Sequence, residues 1–152
     1  MEHKPLLELQ AVADVKIAEP APPMTREQRL ERWIELLEAS ATRRLGSLHE
    51  IEYLTSQERH ECRSNDSPLT VAYEDPVLRA EGLKSDRVGD CTGFFEITER
   101  QLHNAFCSCH VGTTFSAKDA AARLHHLTRR NSATRVGRSI VQRIGDFFAA
   151  RR

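Results

Sequence analysis

Helix starts recur along this chain so regularly that they dictate an all-α fold. Thr25 stands three residues before Gln28, Thr55 before Glu58, Thr98 before Gln101 and Ser116 before Asp119. In such a pair the hydroxyl accepts from the backbone amide three residues on, and the second side chain reaches back to the capping residue, so two donors that a helix start leaves unpaired are satisfied. Ser67 before Pro68 and Asp75 before Pro76 add two further starts, because proline at the first helical position gives up only an amide that has no partner there. Gly82 followed by Leu83 reads as a stop, with glycine free to turn left-handed and leucine to fold back on the last turn.

The apolar residues between these marks keep helical period. Leu30, Trp33, Ile34 and Leu37 form the buried stripe of a helix running to about Ser40, and Leu45, Leu48, Ile51 and Leu54 continue at the same spacing. Residues 69–73, LTVAY, have strand-like composition, but nothing nearby supplies an alternating partner and a hairpin turn, so they read as helix. Val88, Cys91, Phe94 and Phe95 enter the core from a short helix after Asp86, and residues 117–127, AKDAAARLHHL, are rich in good helix formers. The expected architecture is a single domain of about seven or eight short helices in an irregular bundle.

At 152 residues such a chain buries roughly 68–70% of its unfolded surface and needs no staples. Residues 1–24, which include EPAPP, read as an N-terminal arm, residues 25–130 as the helical domain, and residues 131–152 as an amphipathic C-terminal helix. That last helix carries Val136, Ile140, Ile144, Phe147 and Phe148 on one side and is basic elsewhere. From Lys118 onward nine Lys and Arg residues face only Asp119 and Asp146, a net of +7, and the formally neutral chain therefore carries −7 on its first 117 residues. Such asymmetry suits docking on an acidic surface, either this chain's own −7 body, on which the last helix then packs, or a partner, with Arg129, Arg130, Arg135, Arg138 and Arg143 as the contacting residues. A protein partner fits best and nucleic acid second; a membrane surface also suits a basic amphipathic helix with two phenylalanines. The break TRRNSAT, residues 128–134, is long for a helix-turn-helix and lacks the glycine often found there.

No apolar run approaches the ~20 residues of a transmembrane helix, and Glu8, Gln10 and Asp14 interrupt what would be a signal-peptide core. The expectation is a cytoplasmic protein whose Cys62, Cys91, Cys107 and Cys109 are reduced thiols.

The side chains best suited to chemistry crowd into residues 98–112, TERQLHNAFCSCHVG. A helix starting at Glu99, with Ile97 stapled against Leu102, places Leu102, Phe106 and Cys109 on an apolar stripe. His103, Cys107 and His110 then form a second stripe about 100° away. Imidazole and thiolate are the usual ligands of zinc, the cofactor this set would take. In a straight helix His103 and His110 lie about 10 Å apart along the axis, so the workable pairs are His103 with Cys107 or Cys107 with His110, joined by Cys91 or Cys109 if the helix end unwinds. The plainer alternative makes Cys91 and Cys109 small core residues and the histidines surface groups. CSCH has one residue too few for a haem-attachment motif. Gly89-Asp90-Cys91-Thr92-Gly93 imitates a nucleophile elbow but lacks the preceding strand. Cys107 beside two histidines is also a thiol open to oxidation, with Cys109 as its resolving partner.

Two functions follow as expectations. The first is a binding or regulatory protein, rather than an enzyme, that contacts a protein or nucleic acid through its basic C-terminal helix. The second is a metal-binding or thiol-based sensor centred on Cys91, His103, Cys107, Cys109 and His110.

Overall fold

A computed structural model describes residues 22–48 and 54–128. They form an irregular all-α bundle carrying one two-stranded ribbon. The elements are α1 (Arg26–Ala39), β1 (Arg44–Gly46), α2 (Ser56–Glu61), α3 (Pro68–Glu74), α4 (Pro76–Ala80), α5 (Val88–Phe95), α6 (Glu99–Phe106), α7 (Ser108–Val111) and β2 (Thr114–Ser116). The last, α8, occupies residues 117–128. Most of the N-terminal arm, the whole 131–152 helix and all five arginines assigned to partner binding lie outside the described residues. None of the described helices is long and apolar enough to cross a membrane.

The capping pairs form as the sequence implies. Thr25, Thr55 and Thr98 each accept from the amide three residues on, and each donates its own amide to that residue's side-chain oxygen. Ser116 and Asp119 exchange the same two bonds at the start of α8. LTVAY is helical, behind Ser67 and Pro68. At Gly82, φ is +112°, the Gly82 amide donates to the Arg79 carbonyl and the Leu83 amide to that of Leu78, which is the pair of bonds that closes a helix on a left-handed glycine.

Trp33 organises the core. It is fully buried, stacks on Phe95 of α5 at 4.4 Å and meets Phe106 of α6 edge-on at 5.8 Å. Its indole N–H donates to the Pro68 carbonyl at 2.9 Å, so one side chain of α1 ties together α3, α5 and α6. Asp75 caps α4 by accepting from the Val77 amide and pairs with Arg32 of α1 at 2.7 Å. Burial pushes the Asp75 carboxyl up, but the Arg32 bond, the Val77 amide and the nearby guanidinium charges outweigh it and hold the group below its usual range.

Residues 44–48 depart from expectation. Instead of continuing a helix, Arg44, Leu45 and Gly46 pair antiparallel with Ser116, Phe115 and Thr114. Leu45 and Leu48 are buried as the stripe requires, but in extended chain, and Gly46 shows why. A Cβ there would stand 2.9 Å from the Asn65 carbonyl oxygen and 3.2 Å from the Ser64 hydroxyl. The Gly46 amide meanwhile donates to the Asp66 carbonyl at 2.9 Å. Close backbone approach of the 64–66 turn thus fixes this segment, and tertiary contact overrides helical periodicity.

Candidate metal centre

The same extended segment reshapes the cysteine–histidine stretch. In an uninterrupted helix the Ser108 amide would bond to the Asn104 carbonyl. It donates instead to the Leu48 carbonyl at 3.1 Å, and the Leu48 amide donates to the Phe106 carbonyl at 2.8 Å. Bracketed by these two bonds, Cys107 takes an extended conformation (φ −70°, ψ 142°) and bridges to Leu48. The helix therefore ends at Phe106 and restarts at Ser108. Gly112, at φ +76°, stops the short second piece.

This break corrects three expectations. The stretch is two helices, not one. Cys107, expected on the histidine stripe, is fully buried, whereas Cys109, expected on the apolar stripe, is exposed. His103 and His110, about 10 Å apart on a straight axis, have ring centroids only 5.2 Å apart, packed edge-to-face. The extended residue at Cys107 takes the second piece off the axis of the first, and the two rings meet.

The result is a cluster in which one ligand atom from each of His103, Cys109 and His110 lies within 4.8 Å of the other two. Cys109 Sγ is 3.6 Å from His103 Nε2. For a tetrahedral ion with Zn–N of 2.0–2.1 Å and Zn–S of 2.3 Å, the N···S edge is about 3.6 Å, so that pair already stands at a bound spacing. His103 is half-buried on α6, and Cys109 and His110 are exposed on α7, which leaves the cluster open to an ion from solvent. Three protein ligands leave a fourth position for solvent or a further donor, the arrangement of open zinc sites. His110 also lines a cleft of about 460 Å³ with Phe115, Asp119, Arg123 and His126, and its carbonyl accepts from Arg123 at 3.5 Å.

Of the remaining sequence candidates, Cys107 touches this three-residue group and Cys91 stands apart from it. Cys107 contributes no ligand atom to it, but its Sγ lies 3.0 Å from Cys109 Sγ. Cys91 is sealed in α5, with its thiol on the Ser85 carbonyl at 3.5 Å. Burial, reinforced by Asp86 and Asp90, pushes that thiol far above its ordinary range, as befits a small side chain packed in the core. The Gly89–Gly93 elbow pattern lies wholly inside α5. Gly89 serves packing there: a Cβ would stand 2.9 Å from Nδ1 of His60 on α2.

No protein family, curated protein or solved structure compared with this chain matches it.

Proposed function

We propose that this protein binds a transition-metal ion, zinc in the first instance, through His103, Cys109 and His110, and that it acts as a metal-responsive binding protein. One observation carries this reading: a backbone break imposed from the distant Leu48 brings two imidazoles and a thiol to within 4.8 Å of one another. The donor set is borderline-soft nitrogen and sulfur, which favours zinc over magnesium or calcium. With its fourth position open and a cleft at His110, the ion is placed to accept a ligand or a partner's side chain.

The test is competition for zinc between the reduced, untagged protein and a chromophoric chelator. One zinc per chain is expected, and His103→Ala, Cys109→Ala and His110→Ala should each lose far more than the roughly 10- to 100-fold that removal of an outer-shell partner costs a metal site. Cys62→Ser, outside the cluster, should bind as wild type. Stoichiometric binding unchanged in all three ligand variants would refute the assignment.

The charge asymmetry of +7 from Lys118 onward supports a second function, contact with an acidic protein or nucleic acid through Arg129, Arg130, Arg135, Arg138 and Arg143. Deleting residues 132–152 should then abolish a salt-sensitive interaction while the helical body stays folded, and retained binding would reject it.

A further inference from the structure

Cys109 has two partners. On one side it faces His103 Nε2 at 3.6 Å; on the other its sulfur donates to Cys107 Sγ at 3.0 Å. A sulfur shared between a ligand group and a neighbouring thiol serves one of them at a time.

We infer that Cys107 and Cys109 form a redox dithiol that a peroxide converts into a disulfide, and that this modification takes Cys109 away from the metal. The inference rests on the metal assignment for its second half only. The backbone suits the bond. Ser108, between the two cysteines, is helical, which sets their Cα atoms about 5.4 Å apart, inside the 4.4–6.8 Å range of disulfides. Closing the remaining gap between the sulfurs requires side-chain rotation rather than movement of α6 against α7. Such a bond closes a loop of only a few residues, so it constrains the unfolded chain little and is no structural staple. A bridge of this kind is of the labile, regulatory type.

Burial assigns the order of events. Cys109 is exposed and Cys107 is fully buried, so the Cys109 thiolate attacks one oxygen of the peroxide. The O–O bond breaks, a sulfenic acid forms on Cys109, and hydroxide leaves and takes up the proton that Cys109 has lost. Cys107 then attacks the Cys109 sulfur: the S–O bond breaks, the S–S bond forms, and the Cys107 proton leaves with the hydroxyl as water. Two thiols have lost two electrons and two protons, and hydrogen peroxide has become two waters. These roles reverse the order that the sequence suggests, because the helix break exchanges the exposures of the two cysteines.

The experiment uses the full chain, reduced and untagged, treated with hydrogen peroxide with and without bound zinc. Zinc release is followed with a chromophoric chelator, and cross-links are mapped by non-reducing peptide mass spectrometry. The expected result is a Cys107–Cys109 disulfide in both samples, one zinc released per disulfide, and recovery of zinc binding after reduction by a dithiol. Cys107→Ser, with Cys107→Ala as a second variant should serine unfold the buried site, should stop at a Cys109 sulfenic acid that a dimedone-type reagent traps. A metal-free sample in which peroxide forms no 107–109 disulfide overturns the inference and leaves the metal centre standing. A disulfide that forms while zinc stays bound overturns the coupling, and a reduced protein that binds no zinc overturns the metal centre and the release step together.

Discussion

Replacing Gly46 by alanine tests the chain of cause from fold to site. The added Cβ meets the Asn65 carbonyl oxygen at 2.9 Å and the Ser64 hydroxyl at 3.2 Å. The serine can rotate away, but the carbonyl belongs to the backbone of the turn whose next residue, Asp66, accepts the hydrogen bond donated by the Gly46 amide. Relief therefore requires β1 to move away from the 64–66 turn. Overpacking of this kind costs about 1–3 kcal/mol. Because Leu48 follows two residues later and supplies both hydrogen bonds that bracket Cys107, the same shift should loosen the spacing of His103, Cys109 and His110 and weaken zinc binding, although Gly46 touches no ligand. The matched control is Gly93→Ala on the exposed face of α5, where a Cβ meets nothing within 4 Å; a glycine-to-alanine change inside a helix should stabilise by roughly 0.5–1 kcal/mol. Denaturant unfolding followed through Trp33, the single tryptophan of the chain and a buried one, reports both. Opposite signs of the stability change, with zinc affinity reduced only in Gly46→Ala, are expected. A Gly46→Ala protein as stable as wild type, with unaltered zinc affinity, would refute the reasoning that residues 44–48 set the geometry of the site.

Three further outcomes follow from the core. Asp75→Ala removes both the α4 cap and the buried partner of Arg32, and should cost about 2–4 kcal/mol, a figure held down because Arg32 keeps 37% of its side chain in solvent. Since the Asp75 carboxyl lies below its usual range when folded, its contribution is complete above the unfolded value of about 3.9 and is lost as pH falls through the lower folded value; acid unfolding curves should lose part of their steepness there in Asp75→Ala, and an unchanged acid limb would count against the pairing. Trp33→Phe leaves the buried Pro68 carbonyl without its indole donor and opens space beside Phe95, so a loss of about 2–3 kcal/mol is expected by calorimetry, and a loss under 1 kcal/mol would show that the indole hydrogen bond contributes little.

How far the fold was legible in the sequence depended on whether each instruction was local. Thr25, Thr55, Thr98 and Ser116 act on residues three positions away, and Asp75–Pro76 and Gly82–Leu83 are equally short-range, so the helix starts and the left-handed stop could be read directly. The stripe Leu30, Trp33, Ile34 and Leu37 spans about two turns and points to the buried face. Residues 44–48 run against their own pattern because their leucines keep helical spacing while their conformation is set by the 64–66 turn and by Thr114–Ser116, far along the chain. Gly46 within the pattern was the available warning. The three members of the candidate site, His103, Cys109 and His110, are all among the residues that the sequence singles out. Its geometry was not, because the break at Cys107 carries no side-chain capping bond of its own and is made by hydrogen bonds from Leu48. Long-range backbone pairing therefore decided which cysteine faced solvent.

The most direct test of the central claim is the absorption spectrum of the reduced, untagged protein titrated with cobalt(II), an ion that takes the same N and S donors and is spectroscopically visible. A sulfur-to-cobalt charge-transfer band that saturates at one equivalent, survives in Cys107→Ala and disappears in Cys109→Ala is the expected result. A band that disappears in Cys107→Ala and persists in Cys109→Ala, or no band at all, would contradict a metal centre built on His103, Cys109 and His110.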